Sequence, residues 1–280
     1  MKMFLVFAIL LLSPPLAFAT PTLVQKANAH PGSSATCAVT LSGVAANDTL
    51  AFYAYSTANQ TFTSIADSSG NTVSTADNWS SNVSPAISYG FFYVQAASAG
   101  THTITITLAS TGNIVCFLSE WSGLATTGVF DTAGATHFVA TSSTVTSNSI
   151  TPATNGELII FAIGQSNSGN TYSSWNNSFA QQDLYNSTGP GGVWASEVQA
   201  TAAAISGQVT SSGANNYAAN IVAFKAAGSG TCTNAGITQA GAFVVPTAGS
   251  TVVRLKNGSF GTVDCATGPY KQKSGVFGVN

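Results

Sequence analysis

Four cysteines, three histidines and the glutamates Glu120, Glu157 and Glu197 are the residues of this chain that could carry nucleophilic, metal or acid–base chemistry. The histidines, His30, His102 and His137, show no His-x-His or HExxH spacing, so no zinc site is expected. Gly164-Gln165-Ser166-Asn167-Ser168 opens like a nucleophile elbow but lacks the second glycine, and no strand-to-helix turn is expected there. Glycoside hydrolysis needs two carboxylates about 5–10 Å apart, and no Glu-x-Asp-x-x-Glu pattern sets two on one strand face. Glu120 beside Trp121 is the best single candidate. Its simpler reading is a carboxylate capping a turn, because a lone acid cannot serve a two-group mechanism. The turn Asp67-Ser68-Ser69-Gly70-Asn71 offers one carboxylate to an ion such as calcium, which wants six to eight oxygens. No catalytic residue, metal or cofactor is therefore expected.

The cysteines are better spent on disulfides. Cys232 pairs with Cys265 in the C-terminal tail, leaving Cys37 and Cys116 for each other, with two buried thiols as the alternative. Binding chemistry is easier to place than catalysis. Glycan recognition uses aromatic platforms flanked by amides and hydroxyls, and loops are where such groups are presented. Trp79 between Asn78 and Asn82, and Tyr172 with Trp175 and Asn176, fit that description. A lid over the end of a sandwich is the competing role for each of these aromatics. Trp194, in a strand, reads as core.

Residues 1–19 have the form of a secretory signal: Lys2, an apolar run from Phe4 to Leu12, Pro14-Pro15, and Ala17-Phe18-Ala19 as the cleavage site. That run is too short to span a bilayer. An exported chain starting at Thr20 is expected, with no membrane span after cleavage. Charged residues make up only 6% of the chain, against a norm of roughly 25%. Serine and threonine supply about a quarter. The surface must then be coated with hydroxyls and amides, and sixteen Phe with eight Tyr argue for a folded chain. Residues 20–228 carry Lys26 and Lys225 against eight carboxylates, whereas residues 229–280 carry Arg254, Lys256, Lys271 and Lys273 against Asp264 alone. Four scattered basic groups make no phosphate-tracking stripe, which argues against nucleic acid.

Two copies of one phrase organise the chain. Asn113-Ile114-Val115-Cys116-Phe117 is answered by Asn220-Ile221-Val222-Ala223-Phe224, and Asn47-Asp48-Thr49-Leu50 by Asn155-Gly156-Glu157-Leu158. Val94-Gln95-Ala96 is answered by Val198-Gln199-Ala200. Two halves with the same strand order, 47–123 and 155–227, are the simplest explanation. Thr49–Tyr55 is apolar on both faces, as a strand between two layers should be. His102, Ile104, Ile106 and Leu108 alternate with Thr101, Thr103, Thr105 and Thr107, the clearest strand of all. Turns are expected at Ser110–Asn113 and before Tyr217, and residues 76–86 read as a polar loop. No segment shows a capped 3.6-residue period, so almost no helix is expected. The expectation is an all-β protein: a jelly-roll-like antiparallel β-sandwich over 20–228, built from two similar halves. A small basic, disulfide-stapled β appendage over 229–280 follows the Gly228-Ser229-Gly230 linker.

The phrases NDTLAFYAY, DSSGNTV, AGTHTITITL, FLSEWSGL and NIVAFKAAG resemble β-sandwich modules found in large exported bacterial proteins. The resemblance covers about residues 30–227 and leaves the tail uncovered. It implies a jelly-roll-like fold, extracellular placement and an adhesive, carbohydrate-binding or structural role, and it carries across no catalytic residue. The functional expectation is an exported, non-enzymatic module whose partner is a polysaccharide or cell-surface glycan. The alternative is a structural subunit of a surface layer or filament, in which the tail or the segment near Thr20–Ala29 docks on further copies of the chain. A glycoside hydrolase-like enzyme stands third.

Overall fold

The computed structural model describes residues 19–83, 86–228, 250–254 and 260–264. The fold is all-β, with two antiparallel sheets forming a sandwich. The first sheet uses β1 (Thr22–Val44), β2 (Thr49–Ser56), β3 (Phe62–Asp67), β4 (Val73–Val83), β5 (Ala86–Val94) and β6 (Gly100–Ser122), in the order β1-β6-β2-β5-β4 with β3 also on β6. The second uses β7 (Phe130–Ala133), β8 (His137–Thr146), β9 (Glu157–Gln165), β10 (Tyr172–Ser173), β11 (Ala180–Tyr185), β12 (Gly191–Gln199) and β13 (Gln208–Phe224). Its order is β10-β13-β9-β12-β11, with β7 and β8 also on β13. Strand for strand the plan is the same: β7 with β8 takes the place of β1, β9 that of β2, and β13 that of β6. The halves are stacked lobes, each sheet drawn from one half alone.

The long strands explain how each lobe encloses a core. Ser110–Asn113, expected as a turn, lies inside β6, and Ser211–Asn216 lies inside β13. The serine, glycine and asparagine there mark a bend, not a reversal. On β6, residues 114–121 pair with β2, and residues 104–108 pair with β3 in a separate outer layer. β1 follows β6 around the bend with register shifts between Ala29 and Gly32 and between Ser34 and Thr36. Such bulges bend a ribbon and raise its twist. The outer layer thus folds back over the inner one. Residues 76–83, expected as loop, belong to β4, an edge strand whose half-solvated face explains its polar composition.

Three cores result. Leu50, Phe52, Phe92, Ile104, Ile106 and Leu118 fill the first lobe, and Ile159, Phe161, Val193, Val209 and Ile221 fill the second. Tyr53, Phe91, Phe117 and Trp121 face Leu158, Ile160, Trp194 and Phe224 between the lobes. Alternation therefore buries both faces of β2 and β9, whose residues are all buried. The Cys37–Cys116 disulfide is present and joins the outer to the inner layer of the first lobe.

The contacts between lobes are reciprocal. Trp121 of β6 meets Trp194 of β12 edge-on with centroids 5.9 Å apart, and Phe224 of β13 meets Phe91 of β5 at 6.2 Å. A patch that pairs with its own counterpart in this way is the signature of a two-fold dimer interface. The lobes pack as such a dimer within one chain. The matched phrases identify corresponding strands but not always corresponding residues. Asn47 (φ 73°) and Gly156 (φ 77°) fill the same turn position, each donating its N–H to the carbonyl that ends or follows the partner strand, Ala97 or Gln199. Asp48 thus corresponds to Glu157. The one-residue slip puts Leu50 in the first-lobe core and Leu158 between the lobes, because a shift of one flips the face.

Residues 19–229 form one compact unit. In the other, β14 (Ser250–Arg254) and β15 (Phe260–Asp264) pair as an antiparallel hairpin. Cys232, Cys265, the expected strand 242–245 and residues 1–18 lie outside the described residues.

Candidate functional site

Leu124 bridges Ala226, the Gly123 carbonyl accepts the N–H of Ala227, and the Ala227 carbonyl accepts that of Ala19. β6 and β13 therefore finish side by side, where the unit's chain also enters. Because β2 and β9 run antiparallel to them, they start at this near end and both finish at the opposite one, the far rim. The two ends differ in chemistry. Asp48, Asp67, Glu120, Asp131, Glu157 and Glu197 lie toward the near end, as their strand positions and turn contacts require, and Asp77 and Asp183 lie mid-strand, bonded to Asn220 and Asn28. Among the described residues the far rim holds no Asp, Glu, Lys or Arg.

The rim is built from both lobes. His30 lies at the bend of β1, where its Nε2 is 2.9 Å from Asn113 Oδ1 and its Nδ1 2.8 Å from the Tyr185 hydroxyl. Tyr185 also meets Thr188, and an added Cβ at Gly189 would lie 2.9 Å from both His30 Nε2 and Asn113 Nδ2. Across the two-fold axis the Tyr55 hydroxyl reaches Ser166 Oγ at 3.2 Å. Behind it, Gln165 Oε1 accepts from the Tyr172 hydroxyl (2.7 Å) and from Asn170 (3.1 Å), while Asn186 Nδ2 donates to the Asn170 carbonyl. Asn167, Ser187 and Thr188 are exposed on top. The surface is one of amides, hydroxyls and a half-buried imidazole, all hydrogen-bonding groups. Sequence reading missed it because its residues come from five separate segments; the pairing of two lobes brings them together.

The aromatics singled out from the sequence sit elsewhere. Trp79 stands in β4, not in a loop; it donates its Nε1–H to the Gln60 carbonyl (2.8 Å) and stacks near Phe62. Trp175 packs edge-on against Phe161 (5.9 Å) and beside Tyr172 (6.1 Å). Both tryptophans are half-buried and close the seam between the layers of their own lobe. Asn176 spends its side chain locally, donating to the Ser206 carbonyl and accepting the N–H of Gln208. Trp79 and Trp175 belong to different lobes and share no surface patch. Tyr172 alone touches the rim, through Gln165.

The acidic groups are engaged. Glu120 is fully buried, its Oε1 accepting the Ala45 N–H and its Oε2 the Gln25 amide. Burial and a hydrogen bond to Glu120 push the Asp48 carboxyl up to about 6. Carboxyls in hydrogen-bond contact are closer than the roughly 5 Å that even a retaining glycosidase pair requires. His102 is buried on the core face, with Nδ1 2.9 Å from Asp67 Oδ2 and Nε2 2.8 Å from the Ser98 carbonyl. Because Nε2 faces a carbonyl, not a hydroxyl, this is not a nucleophile–base pair. Burial alone would raise the Asp67 carboxyl, but Asn71, the Ser69 N–H and His102 bring it below the ordinary value. The described residues contain no cluster of three or more potential metal ligands and no helix long and apolar enough to cross a membrane. No protein-family model, curated protein or solved structure matches this chain.

Proposed function

We propose that the chain is an exported, non-enzymatic binding protein that holds an uncharged glycan against its far rim. The observation that carries this reading is the segregation of charge. Six of the eight carboxylates of residues 20–228 gather where the chain enters and leaves, and the opposite end presents amides and hydroxyls from both lobes. Neutral sugars are bound by such groups at low desolvation cost, since no ion is stripped of water. Loops held at one end of a rigid sandwich are a recurrent place for binding. Tyr172, whose hydroxyl reaches Gln165, becomes a flanking contact with Trp175 beside it, and Asn176 and Trp79 keep structural roles. The test is retention of the full chain on insoluble neutral polysaccharides such as cellulose, chitin and mannan. Asn167→Asp with Thr188→Asp should abolish retention while leaving the thermal transition in place. Trp175→Ala should weaken it less. Retention unchanged by the rim pair would overturn the assignment.

A second reading, self-assembly into a surface layer, is favoured by the outer layers. Thr36 and Thr40 of β1, Thr103, Thr105 and Thr107 of β6 and Ser64 of β3 make a charge-free three-strand face. The segment from Thr22 to Ala29 is no free donor strand, because it already pairs with Ser122–Cys116 of its own lobe. Light scattering with negative-stain microscopy separates the readings: ordered sheets or filaments favour assembly, and a monomer favours the rim.

A further inference from the structure

The second lobe contains no cysteine, yet its first and last strands meet in a Lys–Asp pair, with a buried glutamate on the strand between them in register with the lysine. Lys225 Nζ lies 3.2 Å from Asp131 Oδ1, and the Asp131 side chain is 8% exposed. The N–H of Ala153 donates to Asp131 Oδ2 (2.8 Å) and aims the carboxyl. β7, which carries Asp131, pairs with β13 through Phe130 and Phe224; Lys225 follows Phe224 directly. On the other side of β13, Phe224 faces Leu158, so Glu157 comes opposite Lys225. Glu157 is fully buried. Its Oε1 accepts from the Thr154 N–H and hydroxyl, whereas its Oε2 is buried without a hydrogen-bond partner among the described residues. A buried carboxyl oxygen left unpaired is costly, and such sites call for an explanation in terms of function. Residues 20–228 hold two lysines, and the other, Lys26, lies opposite Ser119 on β1.

We propose that Lys225 and Asp131 become joined by an intramolecular amide bond, with Glu157 carrying the proton. The neutral Lys225 amine attacks Cγ of the protonated Asp131 carboxyl. The Nζ–Cγ bond forms, and Glu157 takes a proton from Nζ. It returns that proton to the departing hydroxyl, one Cγ–O bond breaks, and a single water leaves. No electrons are gained or lost, so no oxidant or cofactor is needed. The Asp131 carboxyl is 8% exposed and the Lys225 side chain 32%, and burial pushes the Glu157 carboxyl upward, toward the form that can return a proton. The bond would tie the start of the second lobe to its last strand. It does not depend on the glycan reading and stands whether or not the rim binds sugar.

The test is the intact mass of the purified full chain, denatured and reduced, followed by proteolysis. The expected mass is one water below that of the processed sequence, with a branched peptide linking Asp131 to Lys225. Lys225→Arg, which keeps the charge pair, should restore the missing water, and Glu157→Gln should do so in a chain that still folds. An unmodified mass in the natural chain overturns the proposal without reference to any variant. A branched peptide that persists in Glu157→Gln removes Glu157 from the reaction.

Discussion

The two lobes share one strand plan but solve its problems with different residues. In the first, β1 runs unbroken for 23 residues and a disulfide clamps its outer part to β6. In the second, the equivalent strand is divided into β7 and β8, and a Lys–Asp pair closes the lobe. The sharpest difference lies where the lobes meet. Tyr55 follows Asp48, and Gly164 follows Glu157, by the same number of residues, so the two hold equivalent places on the two-fold axis. A Cβ on Gly164 would fall 2.0–2.5 Å from Tyr55 ring atoms and its Cβ. Two tyrosines could not share that space and two glycines would leave it empty. The lobes have therefore become complementary to each other and not to themselves.

That comparison can be broken at several points. Trp194→Ala removes one side of the edge-on pair between lobes and should cost about 3–5 kcal/mol, as large-to-small changes at buried aromatics do. Phe224→Ala, at the reciprocal contact, should cost a similar amount if the interface is truly two-fold; denaturant titration of both variants measures this. Replacing Cys37 and Cys116 by alanine opens a loop with a sequence separation of 79. The loss should be about 4 kcal/mol by the loop-entropy relation, and native-state hydrogen exchange should show it concentrated in the first lobe. Gly164→Ala should cost about 1–3 kcal/mol by overpacking. Tyr55→Ala, added to it, should recover part of the loss, because the two sites are coupled.

The smallest effect is one of pH. Asp48, with its carboxyl raised to about 6, binds a proton more tightly folded than unfolded. Its contribution is present below the ordinary carboxyl value and is lost as pH rises through about 6. Asp67 is lowered, so its contribution is present above that value and lost as pH falls through its folded one. Asp48→Asn should flatten the stability profile between pH 4 and 6 and change stability at pH 7 by under about 1 kcal/mol, water screening the rest. A slope that survives the substitution assigns it to another group.

Much of the fold was legible because alternation is a strong signal. The Thr101–Leu108 face, the doubly apolar Thr49–Tyr55 strand and the Cys37–Cys116 bridge all appear where the residues pointed. What misled were local turn signals. Ser-Thr-Gly-Asn at residues 110–113 has the chemistry of a reversal, but a strand held on both sides by neighbours bends there instead. The edge strand β4 hid as a loop because its partners lie on one side only. The rim was invisible for a different reason. His30, Asn113, Ser166 and Tyr185 carry no common spacing, and only the stacking of two lobes makes them neighbours.

The hydrogen bond from Ala19 to Ala227 has a mechanical consequence. Force applied between the far rim and Ala227 runs along the strands, so the ladder bonds of β13 carry the load together and must shear at once. Force that draws Ala19 away from Ala227 opens the same ladders from one edge, one bond after another. The unit should resist shear along its strands far better than it resists being peeled apart at its own root.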